Sequence, residues 1–200
     1  MSSRNSAKPV KCHDAIIAIG SSTGGIIIVE EIIKRLPATI PPVIICQHIP
    51  PIFSQNFAQR LNDKYPLKIY EAVNNQALES GSVYIAPGDW HIEIVCRNNS
   101  YICQLSQTQR VNSHRPSADV MFDSIINLDA PDAIGILLTG MGHDGVKGML
   151  RMKEKGLMTI AQNKESALIW GMPGEAVKAD AVCKVLAPEA IADYLIKQFA

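Results

Sequence analysis

The sequence has no apolar run long enough to cross a membrane. None approaches the roughly 18 residues that a spanning helix requires. Residues 1–11, MSSRNSAKPVK, also lack the apolar core of a secretory signal. These absences exclude a membrane-inserted chain and predict a soluble protein of the cytoplasm.

The sequence also lacks the cysteine spacing of a metal site or a disulfide framework. Its five cysteines are scattered, and no pair has the CxxC spacing. We therefore expect free thiols in a reducing compartment, with Cys46 buried inside an apolar run. No cluster of metal-ligating residues stands out, so neither a metal nor another cofactor is expected.

Charge of one sign is not in excess. The 19 lysines and arginines are balanced by 19 aspartates and glutamates, which excludes a general attraction to nucleic acid. Apolar residues make up 47% of the 200, enough for the core of one domain. We predict a polar N-terminal arm over 1–12 and a single domain over 13–200.

Short apolar segments alternate with helical patterns along most of the chain. Apolar runs predict strands at 15–19, 43–47, 133–139, 157–162 and 181–186. Helical spacing and breaker residues predict helices at 24–36, 53–65, about 116–127, about 145–154 and 188–199. Strands separated by helices imply crossover connections. The fold class is therefore α/β, a three-layer α/β/α domain with a mostly parallel central sheet.

Two regions depart from this alternation. The middle of the chain contains the short strand-like segments KIYEAV, SVYIAP, HIEIVC and YICQL, and RNNS at 97–100 is typical of a hairpin turn. We expect the sheet to leave parallel pairing here and to include an antiparallel hairpin. Further on, ESALIWGMPGEAVKA (165–179) predicts two short helices separated at Gly171–Pro173.

Polar residues follow three of the predicted strands directly. The turn GSSTGG (20–25) follows the first strand, His48 follows the second, and GMGHDG with Asp144 follows strand 133–139. Ligands of open α/β sheets collect beyond the carboxyl ends of the strands. We therefore expect a serine, a histidine and an aspartate to meet at one edge of the sheet.

The turn at 20–25 is open to several interpretations. It could bind a phosphate at the N-terminus of the following helix, although it matches neither GxGxxG nor a P-loop. It could instead present a nucleophilic hydroxyl, with His48 as base and Asp144 orienting that base. Taken singly, each segment is more often structural, and Asp144 could be a helix N-cap. An interaction module without chemistry is a further possibility.

Six segments of the chain carry a resemblance to a known family. They are AIGSSTGG, QHIPPIFSQNFAQRLN, YIAPGDWHIEI, HRPSADVMFDSI, LLTGMGHDGVKGM and QNKESALIWGMPGEAV, in this order over nearly the whole chain. Together they resemble the catalytic domain of chemotaxis protein-glutamate methylesterase, the CheB family. The resemblance implies a three-layer α/β/α fold and hydrolysis of glutamate methyl esters, with deamidation of glutamines in many members. The implied partners are the cytoplasmic helices of methyl-accepting chemotaxis receptors.

The resemblance also assigns roles to single residues. The nucleophile is the serine directly before Thr-Gly-Gly, which is Ser22 here, and the base and acid are His48 and Asp144. Thr23 and Met141 are implied to lie at the substrate or oxyanion site. The implied chemistry uses no metal and no cofactor.

Three features depart from the family pattern. The family usually carries an N-terminal receiver domain that restrains the active site, and we expect this chain to act without one. Ile26, Ile27 and Ile28 stand where polar or acidic residues are common, and Ser113 stands where an arginine is common. The remaining histidines of this region, His91, His114 and His143, are given no role.

Overall fold

The computed structural model describes residues 12, 14–128 and 130–199, so the arm predicted over 1–12 lies almost wholly outside the described residues. The strands are β1 (Ile17–Ser21), β2 (Val43–Gln47), β3 (Lys68–Glu71), β4 (Gln76–Ala77), β5 (Ser82–Ile85), β6 (His91–Arg97), β7 (Ser100–Ser106), β8 (Ile134–Leu137), β9 (Met158–Gln162) and β10 (Lys184–Leu186). The helices are α1 (Gly25–Ile33), α2 (Pro51–Lys64), α3 (Ala118–Ile126), α4 (Val146–Glu154), α5 (Met172–Lys178) and α6 (Pro188–Phe199).

Seven strands form the central sheet in the order β10-β9-β8-β1-β2-β5-β3, and every pair in it is parallel. Successive side chains of a strand point to opposite faces. Accordingly, Ile17 and Ile19 of β1 pack in a core with residues of α1, α2 and α6, whereas Ala18 packs in a second core with residues of α3, α4 and α5. Helices therefore cover both faces, and the predicted three-layer fold is confirmed.

The helices form where apolar residues recur at helical spacing. In α2, Phe57 and Leu61 are four residues apart and both buried, and Pro51 occupies the first turn, where a missing amide is tolerated. In α6, Ile191 and Leu195 repeat the same spacing. Among the described residues, no helix has the length and apolar character needed to span a bilayer.

The expectation for the middle of the chain was partly wrong. KIYEAV and SVYIAP supply β3 and β5, which pair in parallel within the central sheet. Only β6 and β7, together with the short strand β4 that pairs with β7, form a separate antiparallel sheet. The turn between β6 and β7 was predicted correctly: Asn98 and Asn99 have positive φ, as a tight hairpin requires.

Two further expectations fail. Only the second of the two helices predicted within 165–179 forms, as α5. The residues before it form turns and bends instead. They are held by hydrogen bonds: the Ile169 amide donates to Thr139 Oγ1 at 2.9 Å, and the Trp170 indole donates to the Gln162 carbonyl at 3.1 Å. The second failure concerns the thiols. Cys12 and Cys96, 84 residues apart, are joined by a disulfide, a pairing that wide spacing does not reveal.

Candidate active site

The three predicted polar segments follow neighbouring strands. β1 lies between β8 and β2, so the residues after these three strands emerge side by side at one edge of the sheet. Ser21 pairs with Gln47 at the end of the β1–β2 register, and the His48 amide donates to the Ser21 carbonyl at 3.1 Å. Ser22 and His48 each follow this last pair, and adjacent strands lie about 4.8 Å apart. The fold therefore places the two residues next to each other.

The two serines of the turn have different surroundings. Ser21 is fully buried, and its hydroxyl donates to Gln47 Oε1 at 2.6 Å. The other end of the Gln47 amide donates to the Ser22 carbonyl at 2.8 Å. Within the described residues no hydrogen bond engages the Ser22 hydroxyl, and Ser22 lines an open cleft. Of the two hydroxyls, only that of Ser22 is available for chemistry.

Glycine is required where the turn meets the Gln47 side chain. Gly24 has a φ of +82°, which lets the chain turn sharply into α1. A Cβ at Gly25 would lie 2.7 Å from the Ser21 Cβ and would also collide with Gln47 Oε1. The glycine pair thus allows α1 to begin against the buried amide, which fixes the position of Ser22.

His48 and Asp144 form a buried pair at this edge. His48 Nε2 lies 2.9 Å from Asp144 Oδ2, and the two side chains are 6% and 0% exposed. Burial raises the pKa of Asp144, but hydrogen bonds from His48, Ser117 and Asn112 outweigh burial and lower that pKa from 3.8 to about 2. Because the carboxylate is ionised, it accepts the hydrogen bond and Nε2 donates it. The neutral ring therefore carries its lone pair on Nδ1, which is buried and has no partner among the described residues.

Asp144 is held by three groups besides His48. Its Oδ1 accepts from Ser117 Oγ at 2.6 Å and from Asn112 Nδ2 at 2.7 Å, and its Oδ2 accepts from the Ala118 amide at 2.6 Å. Four donors therefore surround the carboxylate and fix its plane. Asp144 is not the N-cap of a helix; Gly145 occupies that position before α4.

Sequence reasoning missed Gln47, Asn112 and Ser117. Ser117 directly precedes α3, where a serine is usually a cap, but its hydroxyl is directed to Asp144 instead. Asn112 lies in a tight turn, and the Asn-Ser dipeptide signals only the turn. Both lie next to or within a segment that carries the family resemblance, and that was the one signal that could have found them.

The cleft in front of Ser22 and His48 has a volume of ≈ 700 Å³. Both predicted oxyanion residues line it, and Met141 is 70% exposed. The backbone amides of Thr23 and Met141 have no acceptor within the described part of the chain. On one wall, Asp89 accepts from Arg110 and Arg115 at 2.7 and 2.9 Å, so this wall carries two cations and one anion.

A second groove, of ≈ 410 Å³, adjoins Ser22 on the side of α1. Two of the isoleucines that depart from the family pattern, Ile26 and Ile27, line it together with Ile49. Ile27 is 72% exposed. The departure therefore makes the surface beside the candidate nucleophile apolar.

The three histidines left without a role differ in position. His91 is buried and structural: its Nδ1 accepts from the Ser117 amide at 3.2 Å, and its Nε2 lies 3.0 Å from the Gln109 carbonyl. His143 is exposed. His114 was underestimated, because its ring stacks on His48.

One group of side chains could be considered for a metal. Cys46, His48 and Asp144 each place a ligand atom within 4.8 Å of the others. The donor set does not fit a cation. Burial raises the pKa of the Cys46 thiol well above its usual range, so the sulfur keeps its proton. Both Asp144 oxygens already accept two hydrogen bonds each.

The fold and the site together define a class of protein. A parallel α/β sheet that places an unbonded serine hydroxyl and a carboxylate-paired imidazole on one cleft has the residue types that serine hydrolases use. The CheB methylesterase family model matches residues 17–195, and the chain belongs to that family. The resemblance inferred from the sequence is thus confirmed.

Individual relatives agree with this assignment. The chain is 46% identical to protein-glutamate methylesterase/protein-glutamine glutaminase 1 of Hahella chejuensis over 187 residues, covering 94% of this chain and 52% of the relative. It is 41% identical to the protein-glutamate methylesterase/protein-glutamine glutaminase of an Escherichia coli strain over 180 residues, covering 90% and 52%. The chain therefore spans about half the length of these curated relatives.

A solved structure matches the fold closely. The Thermotoga maritima CheB methylesterase catalytic domain superposes with a TM-score of 0.89 at 34% identity. The match covers 96% of this chain and all of that chain. The portion shared with the longer relatives thus corresponds to a catalytic domain.

Proposed function

We propose that this chain hydrolyses glutamate methyl esters on receptor proteins through a covalent acyl-enzyme, with Ser22 as nucleophile, His48 as general base and Asp144 as the group that orients the base. One observation carries the proposal. His48 donates Nε2–H to an ionised Asp144 and leaves the Nδ1 lone pair unpartnered, while Ser22 lies in the neighbouring position across β1 and β2. A buried polar atom without a partner is costly and often functional.

The first half of the reaction forms the acyl-enzyme. Ser22 Oγ bonds to the ester carbonyl carbon as its proton passes to His48 Nδ1, giving a tetrahedral oxyanion and an imidazolium paired with Asp144. The imidazolium then returns the proton to the departing methoxide, which leaves as methanol. Ionised Asp144 stabilises the imidazolium without taking its proton.

The second half regenerates the enzyme. His48 Nδ1 accepts a proton from water as the water oxygen attacks the acyl carbon. The imidazolium then gives this proton to Ser22 Oγ as the C–Oγ bond breaks, which releases the glutamate carboxyl group and restores the serine and the neutral histidine. In both halves the oxyanion needs donors already in place. The free amides of Thr23 and Met141 at the mouth of the cleft are suited to this task.

The family match supports the choice of substrate. The curated relatives are named as methylesterases and glutaminases, so we propose glutamate methyl esters and, by the same mechanism with ammonia leaving, glutamines. The partners proposed are the cytoplasmic helices of methyl-accepting chemotaxis receptors, and the place of action is the cytoplasm. Residues 13–200 are proposed to form the catalytic domain that carries out this reaction.

The family match also favours hydrolysis over phosphate binding at the GSSTGG turn. The decisive experiment measures methanol released from a methylated receptor fragment by the wild-type chain and by Ser22→Ala. We expect release by the wild type and a loss of at least 10³-fold in the variant, since removing a member of such a triad removes most of the catalysis. Equal release by both would overturn the proposal.

The neighbouring serine provides a matched control. Ser21→Ala removes a buried hydroxyl bonded to Gln47 and leaves Ser22 in the chain. A fluorophosphonate probe is expected to label the wild type and Ser21→Ala at residue 22, and to leave Ser22→Ala unlabelled. Labelling of Ser22→Ala at residue 21 would contradict the assignment of Ser22 as the nucleophile. Nucleotide binding by calorimetry, with no labelling of any form, would favour the phosphate alternative.

A further inference from the structure

The ring of His114 lies flat against the ring of His48. The two centroids are 3.8 Å apart and the planes differ by 9°. Nε2 of His48 is already bonded to Asp144, which fixes one edge of that ring. A parallel ring against its face restrains the remaining freedom, rotation about the Cβ–Cγ bond.

A tight turn places His114 in this position. Val111 and His114 exchange two backbone hydrogen bonds, of 3.1 and 2.9 Å, and Asn112 and Ser113 between them both have positive φ. Asn112 Nδ2 ties the turn to Asp144 at 2.7 Å. The turn that places the second imidazole is therefore anchored to the carboxylate that holds the first.

We propose that His114 is a positioning residue: its neutral ring clamps the face of His48 and keeps the Nδ1 lone pair directed at the Ser22 hydroxyl. The inference rests on the proposed function and adds a residue to its machinery. A loose imidazole would turn Nδ1 away from the hydroxyl for part of the time. Misplacement of a reacting group by about 1 Å can cost about 10²-fold in rate.

The charges around His114 support a neutral clamp. Burial is the main cause that lowers its pKa below the usual 6.5; electrostatic interaction with His48, Arg110 and His143 lowers it further, while Asp144 opposes them. At neutral pH the ring is therefore uncharged, and it does not repel the imidazolium that forms on His48 during the reaction. The π-face of an uncharged aromatic ring instead attracts a cation.

The test uses three substitutions of His114. Phenylalanine keeps a flat ring, whereas alanine removes it and glutamine keeps polarity and similar length without a ring. We expect His114→Ala and His114→Gln to lower kcat for methyl ester hydrolysis by about 10- to 100-fold with KM within about threefold. His114→Phe is expected to recover kcat to within about threefold of the wild type. His143→Ala, the exposed neighbour, serves as the control and is expected to match the wild type.

A small probe separates positioning from substrate contact. The acylation rate with p-nitrophenyl acetate, which is too small to span the cleft, should follow the same order of variants. The proposal is overturned if His114→Ala keeps the wild-type kcat, if His114→Phe is as slow as His114→Ala, or if KM alone changes. If His114→Ala does not fold, the comparison of His114→Phe with His114→Gln decides. Failure of the proposed function would be recognised separately, by activity that survives in Ser22→Ala.

Discussion

The side-chain amide of Asn112 donates hydrogen bonds to two buried carboxylates: its Nδ2 lies 2.7 Å from Asp144 Oδ1 and 2.7 Å from Asp119 Oδ2. Two buried like charges close to each other are destabilising. The pKa of Asp119 is raised, mainly by burial and also by the nearby charge of Asp144. The shared donor offsets part of this repulsion. Asn112 thus holds the acid of the candidate site and the start of α3 in one network.

The first prediction concerns removal of this donor. In Asn112→Gly, the backbone keeps its φ of +51° without strain, but both carboxylates lose a hydrogen bond. A bond to a charged group contributes about 1.5–3 kcal/mol, so we expect a comparable loss of stability at pH 7 by urea unfolding and a lower kcat. Both folded carboxyl pKa values should rise, so the stability deficit should shrink as the pH falls through them.

A matched substitution isolates the effect of the donor. Asn99→Gly also removes an asparagine side chain at a positive φ, but in the turn between β6 and β7, away from the cleft. It is expected to leave kcat unchanged. Equal stability of Asn112→Gly and the wild type at pH 7 would contradict the account of the network.

The second prediction concerns the acid itself. Asp144→Asn replaces an acceptor surrounded by four donors with an amide, whose own N–H₂ group must face some of them in either orientation. The His48 ring loses the charge that fixes its tautomer. We expect kcat to fall by about 10⁴-fold, as loss of this orientation does in serine proteases.

An exposed carboxylate provides the comparison for Asp144. Asp193→Asn removes the partner of Arg35 on the surface, and a pair of this kind contributes only about 0–1 kcal/mol. The kcat of the Asp193→Asn variant should equal that of the wild type. Turnover near the wild-type rate in Asp144→Asn would remove this carboxylate from the mechanism.

The third prediction concerns acid stability. Glu30 of α1 accepts hydrogen bonds from Lys64, Arg60 and Tyr65, at 2.8, 2.7 and 3.0 Å. The bond from Lys64 is the largest cause that lowers the Glu30 pKa, with Arg60 and Tyr65 adding to it and burial opposing them; the pKa falls from 4.5 to about 2. A lowered pKa contributes stability above about pH 4.5, and that contribution is lost as the pH falls towards 2.

Glu30→Gln should therefore lower Tm at pH 7 by a few degrees, since about 1 kcal/mol corresponds to roughly 2–4 °C in a chain of this size. The difference in Tm between this variant and the wild type should vanish near pH 2. The exposed Glu154, changed to glutamine, is the control and should have no effect at either pH. A difference that stays constant between pH 7 and pH 2 would rule out the charge as its source.

The fourth prediction concerns the thiols. With Cys12 and Cys96 joined, titration with a disulfide reagent in the absence of reductant should find three thiols in the denatured chain. In the native chain only Cys183 should react quickly, because Cys46 and Cys103 are buried. Burial also raises the pKa of Cys103 to about 12, which leaves little reactive thiolate.

A single substitution checks the assignment of the fast thiol. Cys183→Ser should abolish the rapid reaction and leave two thiols that react after denaturation. Five reactive thiols in the denatured wild-type chain without reductant would show that Cys12 and Cys96 are not joined.

Much of the fold could be predicted from the sequence, because parallel strands that are buried on both faces appear in a sequence as short apolar runs. β2 lies where the VIICQ run predicted it, and α6 has the predicted bounds. The pairing of β3 could not be predicted, because a strand at the edge of the sheet reads the same in a parallel or an antiparallel pair. The non-helical segment at 165–170 is held by Thr139, which follows β8, and by Gln162 at the end of β9. Local propensity does not encode such tertiary contacts.

The candidate site was predictable to a similar extent. Strand exits and family motifs pointed to Ser22, His48 and Asp144, and the structure brings all three to one edge, although their catalytic roles stay predictions. The choice between Ser21 and Ser22 rested on the resemblance; the structure adds a physical reason, the bond from Ser21 to Gln47. The stacking of His114 depends on a turn folding back over the sheet, which sequence spacing cannot reveal.

The alignment of Ser22 with His48 through the β1–β2 ladder sets limits on how this chain can vary. Side chains alternate between the two faces of a strand, so an insertion or deletion of one residue within Val43–Gln47 would turn the imidazole towards the opposite helical layer. The loops that join the strands can change length without this penalty. Indels among homologues should therefore accumulate in the connections and be absent from the five residues before His48.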